Sequence, residues 1–239
     1  MDVVILCGGR GTRLNGERPK PLIEIGGRPI VWHVVSIYAA QGFRRFLLLT
    51  GYQGEAVAEW ARAAEWPHGV DVECVDTGLD TPTGGRVHRV RERLRSPFCL
   101  TYADGVADID LGALRARHAA SGALATMTVV RPELPFGVAE LDGDARVTGF
   151  REKPVADQWV NGGYFVLDPG ALAYLTADCV LEREPLERLA ADGALAAYRH
   201  TGFWRCLDTA KDAVALEELC AAGAPPWLAV PGRTSTAAG

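Results

Sequence analysis

The start of the chain joins a short apolar run to a loop rich in glycine. Residues 3–6 are all aliphatic, and the string GGRG follows at residues 8–11. A glycine loop at the end of a buried strand presents backbone N–H groups that bind phosphate oxygens. The chain has no Walker A string, and Leu14 stands where a Rossmann fingerprint would carry its third glycine. The stretch predicts a phosphate-binding loop of another type, with a plain glycine turn as the alternative.

Two cations close behind the loop support the phosphate-binding interpretation. Arg13 lies just after the glycines, and Lys20 stands between Pro19 and Pro21. The prolines restrict the backbone around Lys20 and therefore indicate a lysine with a fixed position. A guanidinium fork and an ammonium together fit a polyphosphate with two charged centres, although each alone is more often a solvated surface charge.

The first half of the chain alternates short apolar runs with longer amphipathic stretches. Such alternation is typical of parallel strands whose connecting helices cover both faces of the sheet. Pro29 and Gly42 mark the start and the end of the first helix. The pattern predicts strands at 3–6, 45–50, 70–75 and 98–102, and helices at 29–41, 55–64, 87–94 and 111–121.

From residue 123 the pattern changes to strands joined by short loops, in the segments 123–130, 136–141, 146–153 and 159–167. The dipeptide Asp142-Gly143 favours a hairpin. A helix at 184–191, a strand near 196–200 and a helix at 211–221 complete the pattern. The predicted fold class is α/β, with a Rossmann-like mixed, mainly parallel sheet flanked by helices and a small antiparallel addition.

One domain is expected over residues 1–230, because the chain shows neither an internal repeat nor a flexible linker, and residues 231–239 predict a disordered tail. The chain carries 25 Lys and Arg against 30 Asp and Glu, a net charge of −5, which argues against broad binding to nucleic acid or membranes. No secretory signal or membrane-length apolar stretch is evident. A soluble, cytoplasmic protein is the expectation, with several of its six dispersed cysteines as small buried hydrophobes inside apolar runs.

Longer blocks of the sequence carry a family resemblance. The string GGRGTRL followed by PKP resembles the signature of sugar-1-phosphate nucleotidylyltransferases, and TGGRVHRV, FREKP and NGGYFVL resemble blocks of the glucose-1-phosphate cytidylyltransferase branch. The resemblance implies the nucleotide-diphospho-sugar transferase fold, with a nucleotide-binding half at 1–122 and a sugar-binding half and C-terminal helix at 123–230. It also implies Mg²⁺ as cofactor and a reaction in which CTP and glucose 1-phosphate give CDP-glucose and pyrophosphate.

The same resemblance assigns roles to charged residues. Arg13 would grip the β- and γ-phosphates, Lys20 would reach the α-phosphate, and Lys153 would hold the sugar phosphate. Asp104 and Asp208 would bind Mg²⁺, which prefers oxygen ligands and usually takes one or two protein carboxylates. A turn at Asp104 and a helix N-cap at Asp208 are the plain structural alternatives.

Two further sets complete the site that the resemblance implies. The nucleotide-binding set is Leu6, Gly8, Gly9, Gly11, Thr12, Thr83, Gly84 and Gly85. The sugar-binding set is Tyr102, Gly105, Glu152, Asn161, Gly162 and Gly163. Arg86 and Arg89 are interpreted as surface charges or as contacts in a homo-oligomer.

Three features leave alternatives open. Ala103 replaces a glycine of the family's Gly-Asp-Gly block, which would shift the backbone if the position needs a positive φ. The segment before Val75 is shorter than in the cytidylyltransferase branch, so another nucleoside triphosphate, another sugar such as a heptose 1-phosphate, and the number of subunits stay open. Asp108 and Asp110 form a DxD pattern that would indicate a glycosyltransferase, with a helix N-cap at Asp110 as the alternative. A non-catalytic nucleotide-sugar sensor is the third hypothesis.

Overall fold

The structure is a computed structural model, and it describes residues 1–10, 18–223 and 225–228. In this part of the chain the strands are β1 (Val3–Leu6), β2 (Glu24–Ile25), β3 (Arg28–Pro29), β4 (Arg45–Thr50), β5 (Asp71–Asp76), β6 (Phe98–Tyr102), β7 (Gly105–Ala107), β8 (Ala125–Val130), β9 (Val138–Leu141), β10 (Val147–Arg151), β11 (Val160–Leu167), β12 (Leu195–Arg199) and β13 (Trp204–Cys206). The α-helices are α1 (Ile30–Ala40), α2 (Gly54–Ala63), α3 (Thr83–Arg89), α4 (Leu111–Ser121), α5 (Glu184–Ala191) and α6 (Ala210–Ala221).

Seven of the described strands form a central sheet, in the order β12-β8-β11-β6-β1-β4-β5. β11 runs antiparallel to both of its neighbours, β6 and β8, and the other neighbouring pairs are parallel. Two-stranded antiparallel sheets, β9–β10 among them, are added outside it. The predicted fold class is thus confirmed, and strands from both halves of the chain lie side by side in one sheet.

The apolar core lies on both faces of the sheet, as the side chains of β1 illustrate. Val3 and Ile5 belong to one buried cluster, and Val4 and Leu6 belong to another that includes Val87 of α3. This division follows from the alternation of side chains along a strand. Full burial of an aliphatic side chain contributes roughly 1.5–3 kcal/mol. β1 is therefore a firm anchor for the glycine loop that follows it.

Helix boundaries follow local capping chemistry. The Asp110 side chain accepts a hydrogen bond from the Ala113 N–H at the start of α4, and Gly122, with a φ of 67°, caps the C-terminal end of the helix. Thr209 precedes α6 and forms a capping box with Asp212. The predicted helices near these positions agree with the structure to within one residue at each end.

The helix predicted at 87–94 is wrong in its boundaries. α3 begins at Thr83 and ends at Arg89, and a 3-10 turn follows at Arg91–Arg93. Gly84 and Gly85 lie within α3, and their low helix propensity obscures its start in the sequence. A Cβ on either glycine would collide with the segment 177–181. Close packing against that segment therefore accounts for the two glycines.

Four short strands, β2, β3, β7 and β13, have no counterpart among the sequence predictions, because two or three residues are too few for an alternating pattern. The predicted tail at 231–239 lies outside the described residues. Within the described ranges, no helix has the length and apolar character needed to cross a membrane.

Candidate active site

A cavity opens at the C-terminal edge of the central sheet. Leu6 pairs with Tyr102 in the parallel register of β1 and β6, so the ends of these strands lie side by side. The cavity has a volume of about 370 Å³ and lies where ligands of open α/β sheets generally bind. Its lining includes the assigned residues Leu6, Gly8, Gly9, Lys20, Thr83, Tyr102 and Asp104. The assigned residues Gly11, Thr12 and Arg13 lie outside the described ranges.

Three charged residues assigned from the sequence meet beside this cavity. Lys20 Nζ lies 2.5 Å from Asp104 Oδ2 and 2.7 Å from Asp208 Oδ1. Asp104 lies in the turn between β6 and β7, and Asp208 follows β13. Antiparallel pairing of β7 with β13 sets Gly105 opposite Cys206. This pairing brings carboxylates from distant parts of the chain to one lysine, and Lys20, Asp104 and Asp208 are termed the charged cluster below.

The charged cluster is partly enclosed by protein. The Lys20 side chain is 16% exposed, that of Asp104 is 23% exposed and that of Asp208 is 46% exposed. Burial lowers the pKa of the Lys20 ammonium, but the attraction of Asp104 and hydrogen bonds to both carboxylates outweigh burial and raise the pKa above its ordinary value. Lys20 therefore keeps its positive charge throughout the neutral pH range.

The donor atoms of the cluster suit a hard divalent cation. Carboxylate oxygens are the ligands that Mg²⁺ prefers, and the ammonium of Lys20 marks a position where two carboxylates already stabilise a cation. The Cys206 sulfur is close by, since ligand atoms of Asp104, Cys206 and Asp208 all lie within 4.8 Å of one another. Burial, followed by the charges of Asp104 and Asp208, raises the pKa of the Cys206 thiol. Cys206 is therefore a neutral neighbour of the carboxylates and more than a buried hydrophobe.

The plain alternatives for the two carboxylates are now decided by geometry. Thr209 caps α6, so the N-cap interpretation of Asp208 is wrong. Asp104 does lie in a turn, and its carboxylate also contacts Lys20. Ala103 does not adopt a positive φ, whereas the described non-glycine residues that do are Gln53, Ala145 and Lys153. The alanine therefore puts no left-handed strain on the backbone that carries Asp104.

Arg86 is buried, with 4% of its surface exposed, and the interpretation of Arg86 as a surface charge or oligomer contact is wrong. Its guanidinium donates hydrogen bonds to Gly8 O at 2.9 Å, Thr50 O at 2.7 Å and Gly78 O at 2.9 Å. A Cβ at Gly8 would collide with the guanidinium, which explains why a glycine stands there. Arg86 thus ties the glycine loop to the ends of β4 and β5. Arg89, three residues further along α3, is exposed.

Glu182, which the sequence interpretation missed, connects two residues of the cavity lining. Its carboxylate accepts a hydrogen bond from Tyr102 OH and one of 2.7 Å from Thr83 Oγ1. Burial, followed by the charge of Glu182, raises the pKa of Tyr102, so the phenol remains a neutral donor. The string EREPL contains Glu182, but nothing in it separates this residue from an acid at the start of α5.

The two glycines that follow Thr83 pack against another segment of the chain. Gly84 and Gly85 are buried against the segment 177–181 and are not part of the cavity lining. The lining from this block is instead Thr81, Pro82, Thr83 and Arg86. Any contact between this block and a nucleotide base is therefore expected from residues 81–83.

Asn161, Gly162 and Gly163 lie near the start of β11, beside Tyr102. Asn161 Nδ2 donates to Tyr102 OH at 3.5 Å, and Asn161 Oδ1 accepts a hydrogen bond of 2.8 Å from Gly163 N. Gly163 has a φ of 82°, and a Cβ there would lie 2.9 Å from the Tyr102 ring. The carbonyl of Gly162 accepts a hydrogen bond of 2.8 Å from Trp204 Nε1. Gly162 therefore serves the packing of β11, while Asn161 joins the network around Tyr102.

The other residues of the sugar-binding set lie away from the cavity lining. Gly105 is buried in β7, and its carbonyl accepts a hydrogen bond of 2.9 Å from Tyr164 OH. Glu152 and Lys153 follow β10, and both are exposed. The structure thus brings the charged cluster and most of the described nucleotide-binding residues together, but it does not bring Glu152 and Lys153 to them. The sugar-binding roles of these two residues stay predictions.

The two aspartates of the DxD pattern have partners elsewhere. Asp110 caps α4. Asp108 Oδ1 lies 3.1 Å from His200 Nε2. Because the Asp110 carboxylate is hydrogen-bonded to the N-terminus of α4, the structure supports the N-cap interpretation and gives the glycosyltransferase hypothesis no support.

The fold and the charged cluster together define a protein with an α/β sheet that gathers a glycine loop, a lysine and two carboxylates at one edge. The same fold is found in HddC from Yersinia pseudotuberculosis, solved in complex with GMP-PN, with a TM-score of 0.73 and 21% identity over 91% of this chain and 98% of that one. Residues 2–201 match the model of the nucleotidyl transferase family, and the chain belongs to this family.

Similarity to known protein sequences covers nearly the whole chain. It is 38% identical to the glucose-1-phosphate cytidylyltransferase of Salmonella typhi over 95% of this chain and 98% of that protein. It is also 38% identical to a probable glucose-1-phosphate cytidylyltransferase of Bacillus subtilis over 95% of this chain and 99% of that protein. The family and branch that the sequence resembles are thereby confirmed.

Proposed function

We propose that the protein is a magnesium-dependent sugar-1-phosphate nucleotidyltransferase that joins CTP and glucose 1-phosphate to CDP-glucose with release of pyrophosphate. The observation that carries this proposal is the charged cluster, in which Lys20 contacts Asp104 and Asp208 beside the cavity that the glycine loop borders. The names of the relatives similar over nearly the whole chain support the choice of CTP and glucose 1-phosphate.

In the proposed reaction, an oxygen of the sugar phosphate attacks the α-phosphorus of the nucleoside triphosphate. A P–O bond forms at that phosphorus, the bond to the oxygen that bridges to the β-phosphate breaks, and pyrophosphate leaves with the electron pair. All reactants are anions, so catalysis depends on alignment and on fixed positive charge, and no protein nucleophile is needed. Lys20 supplies such a charge at the cavity, and Arg13 is expected to hold the β- and γ-phosphates.

The chain's own residues fit the divalent cation that this reaction implies. Asp104 and Asp208 would hold Mg²⁺, which when bound offsets the charge of the phosphates. Arg86 fixes the glycine loop through its hydrogen bond to Gly8 O, so the loop is preset to receive phosphate oxygens through its N–H groups. Lys153 is proposed to hold the sugar phosphate.

A pyrophosphate-release screen tests the proposal. The purified protein is incubated with Mg²⁺ and with ATP, CTP, GTP, UTP or dTTP, each crossed with glucose, mannose and heptose 1-phosphates. Release with CTP and glucose 1-phosphate alone supports the proposal in full, and release with a different pair keeps the reaction but replaces the substrates. No release with any pair contradicts it. Chelation of divalent cations by EDTA is expected to stop release, and excess Mg²⁺ to restore it.

A further inference from the structure

The charged cluster holds one positive charge between two negative ones. The Lys20 ammonium contacts Asp104 at 2.5 Å and Asp208 at 2.7 Å, so it fills the space between the two carboxylates. These are the same carboxylates that the proposed function assigns to Mg²⁺, which needs its ligand oxygens at about 2.0–2.1 Å. A lysine and a divalent cation cannot both make such close contacts with this pair of oxygens.

We propose that Lys20 occupies the divalent-cation site of the nucleotide-free protein, so that metal enters only when a nucleoside triphosphate draws the lysine away. The inference rests on the proposed function for the identity of the metal ligands. It adds an order of events: Lys20 and the metal exclude each other from Asp104 and Asp208 until a polyphosphate offers the ammonium another partner.

The backbone around Lys20 allows the side chain to move without the loop. Pro19 and Pro21 flank the lysine, and Leu22 N donates a hydrogen bond of 2.8 Å to Pro19 O. Pro21 is buried. The main chain is therefore fixed, while the flexible four-carbon stem of lysine can carry its ammonium to a new partner.

The displaced Lys20 ammonium would move to phosphates bound in the cavity. Lys20 lines the cavity together with Gly8 and Gly9, where phosphate oxygens are expected to bind. A triphosphate that reaches this loop presents several negative charges to Lys20, against the two carboxylates that hold it in the free protein. Movement of the ammonium to the phosphates would leave Asp104 and Asp208 with net negative charge, which favours a divalent cation.

Binding of Mn²⁺ to the full-length protein without nucleotide tests the exclusion, measured by the electron paramagnetic resonance signal of free Mn²⁺. Lys20→Ala is expected to bind Mn²⁺ at least about tenfold more tightly than the wild type, within the usual range of coupling between two ligands. Lys20→Met, which keeps an unbranched stem without the charge, is expected to behave as Lys20→Ala does and guards against a folding defect in one variant. Arg62→Ala removes an exposed positive charge from α2, outside the cluster and outside the assigned site, and should leave the affinity unchanged.

A second arm adds a saturating α,β-methylene analogue of CTP, which cannot be cleaved between the α- and β-phosphates. The wild type is expected to gain Mn²⁺ affinity, and Lys20→Ala should then no longer bind Mn²⁺ more tightly than the wild type. The double variant Lys20→Ala/Asp104→Asn should lose the tighter site, which locates it at the cluster.

Equal Mn²⁺ affinity of wild type and Lys20→Ala without nucleotide overturns the exclusion, and it leaves the transfer reaction standing if pyrophosphate is released in the screen. Tighter binding by the wild type also overturns it. A failed screen with tighter Mn²⁺ binding in Lys20→Ala would instead reject the proposed function and retain the competition between lysine and metal.

Discussion

Two regions assigned to substrate binding, the cavity beside β1 and β6 and the β9–β10 hairpin, differ in how the protein holds them. At the cavity, Arg86 is 4% exposed and is hydrogen-bonded to backbone carbonyl groups from three segments. In the hairpin, Leu141 is 61% exposed and Phe150 is 64% exposed. β9 and β10 form a two-stranded sheet of their own.

The difference indicates which part of the site is formed before substrate binds. A buried, satisfied polar network rigidifies its surroundings, whereas an isolated two-stranded hairpin is marginally stable in water. We therefore expect the cavity to keep its geometry in the free protein. Glu152 and Lys153, which follow the hairpin, are expected to take their working positions only when a sugar phosphate is bound.

The largest expected effect is on the cavity side, at Asp104. Asp104→Asn keeps the shape of the side chain but removes a charge that the proposed function assigns to the metal. Turnover in the pyrophosphate-release assay is expected to fall at least about a hundredfold, the scale of losing one key electrostatic contact. The free energy of unfolding should change by less than about 1 kcal/mol, since the ion pair is partly exposed. Turnover near the wild-type value would show that Asp104 has no part in the chemistry.

Asp110→Ala is the matched control for this variant. Asp110 belongs to the DxD pattern and caps α4. Its loss is expected to lower the free energy of unfolding by about 1 kcal/mol and to leave turnover unchanged. A large loss of turnover in Asp110→Ala would show that this carboxylate does more than cap α4.

Arg86→Met tests whether the buried arginine presets the cavity. The substitution leaves Gly8 O, Thr50 O and Gly78 O without their guanidinium donor. A loss of about 2–4 kcal/mol in the free energy of unfolding is expected, because several buried hydrogen bonds to a charged group are removed, although Gly8 O keeps the Tyr52 N–H and Thr50 O keeps the Thr77 N–H. Urea denaturation measures it, with the exposed Arg89→Met as the control, expected within about 0.5 kcal/mol of wild type. Similar losses in both variants would contradict the special role of Arg86.

Sequence reasoning reached the sheet and Asp104 because both follow from local rules. The apolar runs mark the strands, and the rule that ligands bind at the C-terminal ends of parallel strands points to Asp104. The placement of Lys20 and Asp208 in the same site came from the family resemblance, since the β7–β13 pairing that brings Asp208 to this site is too short to recognise in a sequence. The direct contact between the two residues was not predicted.

The features that escaped prediction depend on contacts between distant segments. Arg86 looked like a surface charge because its partner Gly8 lies 78 positions away. Glu182 gave no signal because its role depends on the position of Tyr102, 80 positions away. The start of α3 was hidden because packing against residues 177–181, and not helix propensity, allows Gly84 and Gly85 in the helix.

Gly137→Ala probes the hairpin side with a moderate expected effect. A Cβ at Gly137 would lie 2.9 Å from Glu152 Oε2 and would collide with the Phe150 ring. Displacement of Glu152 is expected to raise the KM for glucose 1-phosphate roughly fivefold, the equivalent of about 1 kcal/mol. The KM for CTP should not change. Gly143→Ala is the control in the same hairpin, because a Cβ there meets nothing within 4 Å. An equal rise in both KM values would contradict a role confined to the sugar.

The smallest expected effect concerns the stability of the hairpin itself. Phe150→Ala removes a side chain that is 64% exposed, and the free energy of unfolding is expected to change by less than about 0.5 kcal/mol. Phe165→Ala is the matched control, since Phe165 is 1% exposed in the core and its loss is expected to cost about 3–5 kcal/mol. Urea denaturation of both variants at several protein concentrations measures the two changes in the free energy of unfolding. A large, concentration-dependent loss in Phe150→Ala would mean that the ring is covered in solution by another copy of the chain, and the hairpin would then be held by assembly instead of by substrate.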